Sequence, residues 1–118
     1  MTDKDRIREL ISSFEGTEKL LFSDPSNPYE SIYISAYVYQ GCLTVKDSEC
    51  EHAPDGGWTH ILVSFDRENT EKAFAYLSVI DPDPFRALAR LVDYHNRTEL
   101  FKEGCTKRGI QYETRFSY

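Results

Sequence analysis

The stretch SIYISAYVYQGCLTVK, residues 31–46, decides the fold. From Ser31 to Tyr39 the side chains alternate: Ile32, Ile34, Ala36 and Val38 share one side, and Tyr33, Ser35, Tyr37 and Tyr39 the other. A period of two is the pattern of a β-strand with two unlike faces. Gln40-Gly41 reads as a tight turn, and Cys42–Lys46 returns as the partner strand. The hairpin has one apolar face, which needs a covering layer, and one tyrosine-rich face.

Upstream, Thr2–Glu15 carries Ile7, Leu10, Ile11 and Phe14 at the i, i+3, i+4, i+7 spacing of one helical stripe. Thr2 and Asp5 stand at capping-box spacing, and Gly16 follows where a helix commonly ends in a left-handed residue. Leu20–Phe22 suits a short strand, and Asp24-Pro25-Ser26-Asn27-Pro28 a loop.

Downstream, Asp47–Gly57 is rich in charge and ends in Asp55-Gly56-Gly57, the composition of an exposed loop. Trp58–Phe65 alternates as another strand, and Leu62 on its second side implies cover on both faces. Lys72–Ile80 fits either a helix or a strand; its bounded length and the short Asp66–Thr70 connection favour a hairpin strand. Asp83-Pro84 is a good helix start, and Phe85, Leu88, Ala89, Leu91, Val92 and His95 give a helical stripe. A further helix over about Thr98–Arg108 ends at Gly109, and Ile110, Tyr112, Thr114, Phe116 and Tyr118 alternate as a last strand. The order α-β-β-β-β-α-α-β predicts one α+β domain over residues 1–118, a mostly antiparallel sheet with helices packed on one face.

Composition narrows the function. Fourteen Lys and Arg stand against 20 Asp and Glu, a formal net charge of −6. That balance argues against direct binding of nucleic acid or of an anionic membrane. The charged start MTDKDRIREL has no apolar signal-peptide core, and no stretch approaches a membrane span. Cys42, Cys50 and Cys105 are an odd, irregularly spaced set, so the expected setting is reducing and cytoplasmic, without disulfides.

No chemical motif stands out. Cys42, Cys50, His52, His60 and Cys105 lack paired ligand spacing, so no metal is expected. There is no nucleophile elbow and no phosphate loop, and no cofactor is expected. His95, on an apolar stripe, reads as a semi-buried histidine, and Asp81 and Asp83 as turn and cap residues.

The charge is uneven along the chain. Between Leu20 and Asp66 there are seven acids (Asp24, Glu30, Asp47, Glu49, Glu51, Asp55 and Asp66) and one base, Lys46. Residues 84–118 carry a net +3. Carboxylates gathered over residues 24–66 of a small acidic α/β chain resemble the bacterial and phage DNA-mimic proteins. The resemblance implies carboxylates set where a duplex sets phosphates, and a partner that is a basic DNA-binding protein, a histone-like nucleoid protein or a nuclease. The expected contact set is then Asp24, Glu30, Tyr33, Tyr37, Asp47, Glu49, Glu51, Asp55 and Asp66, the tyrosines adding short-range contact. Two alternatives stand beside this non-catalytic reading. One is a toxin-immunity or phage anti-defence inhibitor using the same complementarity. The other is a small enzyme or ligand-binding domain using His60, Cys42 or the tyrosines.

Overall fold

A computed structural model describes residues 2–24, 30–51 and 56–117, with Glu30 described through its backbone alone. Nine elements follow one another: α1 (Asp3–Ser13), β1 (Glu18–Asp24), β2 (Glu30–Tyr39), β3 (Cys42–Glu51), β4 (Trp58–Ser64), α2 (Arg67–Ile80), α3 (Pro84–Ala89), α4 (Glu99–Lys107) and β5 (Glu113–Ser117). The strands form an antiparallel sheet in the order β1-β2-β3-β4-β5, and the fold is α+β.

The β2–β3 hairpin organises the sheet. Gln40 and Gly41 both take positive φ, 52° and 76°. Two left-handed residues make a two-residue turn whose twist matches that of the flanking strands. Tyr39 therefore pairs with Cys42, and the register runs unbroken to Glu30 opposite Glu51. Ile32, Ile34, Ala36, Val38, Leu43, Val45, Val63 and Phe65 all face one layer of helices, which supplies Ile11, Ala73, Phe74, Leu77, Phe85, Ala87, Leu88, Phe101 and Cys105. Phe14 joins the layer laterally, 4.4 Å from the Phe85 ring.

Local chemistry sets the helix ends. The Thr2 hydroxyl accepts from the Asp5 amide at 3.1 Å, and the Asp5 carboxylate accepts from the Thr2 amide at 3.4 Å. At the end of α4, Gly109 has φ 70° and the Ile110 amide donates to the Cys105 carbonyl at 2.9 Å, a Schellman closure.

Several expectations change. Lys72–Ile80 is not a hairpin strand but the second half of α2. Asp66 caps that helix, its carboxylate accepting from the Asn69 amide at 2.8 Å. Thr70, Ala73, Phe74 and Leu77 then form a buried i, i+3, i+4, i+7 stripe. Asp47–Glu51 is not loop but the far half of β3, paired with β2 throughout and with β4 as far as Cys50; residues 52–55 lie outside the described set. The helix begun at Pro84 ends at Ala89, and His95 is exposed in the turns that follow instead of lying on an apolar stripe. β4 has a strand on either side, but among the described residues no helix covers its second face, where Leu62 is half-buried. β1 is longer than Leu20–Phe22, with a register shift between Leu20 and Phe22.

Candidate functional site

Among the described residues the four helices all pack on one side, which leaves the opposite face of the sheet open. The pairing registers lay its side chains out in rows across the strands. One row runs Ser23, Tyr33, Ser48, His60, Ser117; the next Leu20, Ser35, Lys46, Leu62, Arg115; the third Glu18, Tyr37, Thr44, Ser64, Glu113. Beyond the ends of these rows lie Tyr39 and Cys42 on one side, and Ser31, Cys50 and Trp58 on the other. Trp58 is 46% exposed and Tyr39 64%.

Within this face Glu18, Leu20, Tyr33, Ser35, Lys46, Ser48, Trp58 and His60 border a shallow groove of about 540 Å³. Its aromatic wall is the Tyr33 ring 5.7 Å from Trp58, which in turn lies parallel to His60 at 6.1 Å. Its polar floor is internally satisfied. Lys46 Nζ meets Glu18 Oε1 at 3.0 Å, and the Ser35 hydroxyl donates to the same oxygen at 2.9 Å. These bonds, that from Lys46 foremost, hold the Glu18 carboxyl below its usual range.

Ser48 Oγ and His60 Nδ1 are 2.7 Å apart. A serine beside an imidazole is the start of a nucleophile–base pair. Acyl transfer also needs amide donors aimed at a developing oxyanion. Ser48 sits on β3, between β2 and β4, so the amides around it are committed to the sheet. The pair has the geometry of a structural contact that orients the His60 ring beside Trp58. Among the described residues no three His, Cys, Asp or Glu side chains gather as a metal site.

The residues singled out in the sequence do not converge. Tyr33 and Tyr37 lie on the open face, whereas Asp47 and Glu49, like Asp24, stand on the helix side of the sheet. Asp47, expected on an exposed loop, is buried, and the guanidinium of Arg97 closes over its carboxylate. Arg97 also approaches Glu49 at 4.0 Å. The acidic run along the chain is therefore interleaved in space with a cation from the basic segment. Asp66 is occupied as the cap of α2, which holds its carboxyl below the usual range through the Asn69 amide. The register does bring part of the set together. Asp24 and Glu49 flank Ile32 in one row, and Glu30 stands opposite Glu51 in the next. Asp55 and His52 lie outside the described residues. Trp58, Leu20, Leu62 and Lys46 belong to the open face and were not in the expected contact set. For Trp58 and Leu62 the strand alternation of residues 58–64, matched to the tyrosine side of β2, carried that signal.

Comparison with protein-family models, with curated protein sequences and with solved structures finds no match. Among the described residues no helix is long and apolar enough to cross a membrane.

Proposed function

We propose that this chain is a non-catalytic binding protein whose contact surface is the open face of the sheet. The observation that carries the reading is an uncovered five-strand face bearing Tyr33, Tyr37, Tyr39, Trp58, Leu20 and Leu62 around a shallow groove. Apolar and aromatic side chains left contiguous on a surface are the usual anchors of protein contacts. The charged groups of the three rows, Glu18, Lys46, Glu113 and Arg115, balance. The partner chemistry that fits is thus an uncharged, apolar-centred protein surface. Three cysteines outside any disulfide suit the reducing cytoplasm, which belongs to the same proposal.

A second reading keeps the acidic partner surface. Asp24, Glu49 and Glu51 lie at one end of the β2–β3 hairpin, on the side away from the tyrosines, where Glu30 pairs with Glu51 in the backbone register. That end suits a basic protein such as a nucleoid protein or a nuclease, bound in place of DNA.

Two variants separate the readings. Tyr33→Ser with Trp58→Ser alters only the open face, and Glu49→Lys with Glu51→Lys only the acidic end. On the first reading the aromatic variant loses the partner while the charge-reversed protein keeps it, and binding depends little on salt. The opposite result, with strong salt dependence and competition by DNA, transfers the function to the acidic end. A partner retained by both variants removes both readings.

A further inference from the structure

The two edges of the sheet are protected unequally. β1 carries a register shift between Leu20 and Phe22 and is backed by α3. Bulges and covering elements are the usual ways of blunting a sheet edge. β5 has neither. Among the described residues it pairs with β4 alone, it runs without irregularity, and all five of its residues are exposed. Phe116, on the helix side of this strand, is 69% exposed.

We propose that β5 is a self-association edge, along which a second copy of this chain adds antiparallel to give a continuous ten-strand sheet. The argument is the charge order of Glu113-Thr114-Arg115-Phe116. A two-fold axis normal to the sheet keeps both helical layers on one side, so only residues of like face stand opposite one another. Five registers satisfy this, centred on Glu113, Thr114, Arg115, Phe116 or Ser117, of which the last two pair no opposite charges. The first and third set two like charges directly against each other, which destabilises a strand pair. The register centred on Thr114 sets Glu113 opposite the partner's Arg115 and Arg115 opposite the partner's Glu113. Within one copy these two side chains already meet at 3.0 Å, so the dimer joins two such pairs into a four-charge cluster of alternating sign.

The same register brings Phe116 opposite the partner's Tyr112. Tyr112 is half-buried and anchored by the Phe65 ring at 5.9 Å, which makes it a fixed surface for an otherwise exposed phenylalanine. One register therefore pairs opposite charges and covers the exposed ring at the same time. The chain's net charge of −6 opposes association in general. At this edge the strand charges cancel, and unpaired backbone groups supply the main-chain bonds that strand addition uses. The proposal is independent of what binds the open face, since its readout is the mass of the purified chain.

Sedimentation of the purified protein over a wide concentration range tests it. The wild type is expected to pass from 13.7 kDa to twice that mass. Arg115→Glu and Glu113→Arg, each alone, are expected to weaken the dimer roughly ten-fold or more. An equimolar mixture of the two single variants restores dimers, because each supplies the charge the other lacks. The double variant with the charges exchanged dimerises again by itself, which also shows that the strand still forms. A wild type that stays monomeric throughout, a dimer indifferent to both single variants, or a mixture that fails to regain mass overturns the proposal.

Discussion

Arg97 closes over Asp47 across fifty positions of sequence, joining the turns after α3 to the middle of the sheet. Asp47 is only 3% exposed, whereas Arg97 keeps 24% of its side chain in solvent. Removing the cation strands a buried carboxylate. Arg97→Ala is expected to destabilise the protein by roughly 2–4 kcal/mol, somewhat less than for a fully buried pair because Arg97 retains some solvent. Asp47→Asn in the Arg97→Ala background should recover part of that loss. Urea unfolding of the four proteins of the cycle measures it, and strict additivity would show that the two side chains are not coupled.

Acid should weaken the fold through a small set of carboxylates. Asp81 is held below its usual range first by the Asp83 amide and then by Arg86 and Arg90, Asp66 by Asn69, and Glu18 by Lys46 and Ser35. Each has a lower folded than unfolded pKa. Their stabilisation is complete above the unfolded values, near 4, and is lost as pH falls through the folded ones. The urea midpoint should hold steady above about pH 5 and fall below about pH 4. Asp81→Asn should flatten that fall. A midpoint that rises on acidification contradicts the assignment.

The three thiols should separate by reactivity. Cys42 and Cys50 are half-buried on the open face, and Cys105 lies on the core-facing side of α4. Burial pushes the Cys105 thiol up to about 12. A thiol reagent at pH 8 should therefore label two cysteines in the native protein and the third only with unfolding. Rapid native labelling of Cys105 would place it outside the core.

Gly104 is required by Tyr76. A Cβ at this position would collide with the Tyr76 hydroxyl and lie 2.7 Å from the ring carbon that bears it. The ring cannot easily retreat, being stacked on Phe101 and covered by the Arg108 guanidinium at 4.0 Å. Gly104→Ala should cost roughly 1–3 kcal/mol despite the higher helix propensity of alanine. Tyr76→Leu should relieve part of that cost in the double variant. An alanine variant as stable as the wild type would mean that the ring moves freely.

Elements whose signal is local were legible in the sequence. The alternation of Ser31–Tyr39 with Gln40-Gly41 sets the hairpin, and Thr2 with Asp5 sets the start of α1. α2 was misread because its stripe begins at Thr70, inside what looked like a connection; counted from Lys72, the same residues fit a strand equally well. The far half of β3 was hidden because Lys46, Asp47, Ser48 and Glu49 are polar on both faces, and a strand whose buried side chain is a paired carboxylate has no apolar alternation to show. The candidate site suffered most from this. Reading charge along the chain put Asp47 and Tyr33 on one surface, but the sheet passes between them, and the cation that covers Asp47 comes from the segment expected to stand apart.

The strand order carries a consequence for how the chain assembles. β1 to β4 pair with their neighbours in sequence, but β5 must wait until residues 65–112 have been placed before it can find β4. Closing short connections costs less entropy than closing long ones. The hairpin centred on Gln40-Gly41 is therefore the natural nucleus, and β5 docks last and is released first. Its amide protons should exchange with solvent well ahead of those of β2 and β3, so the last strand can detach and return while the remaining four keep their pairing.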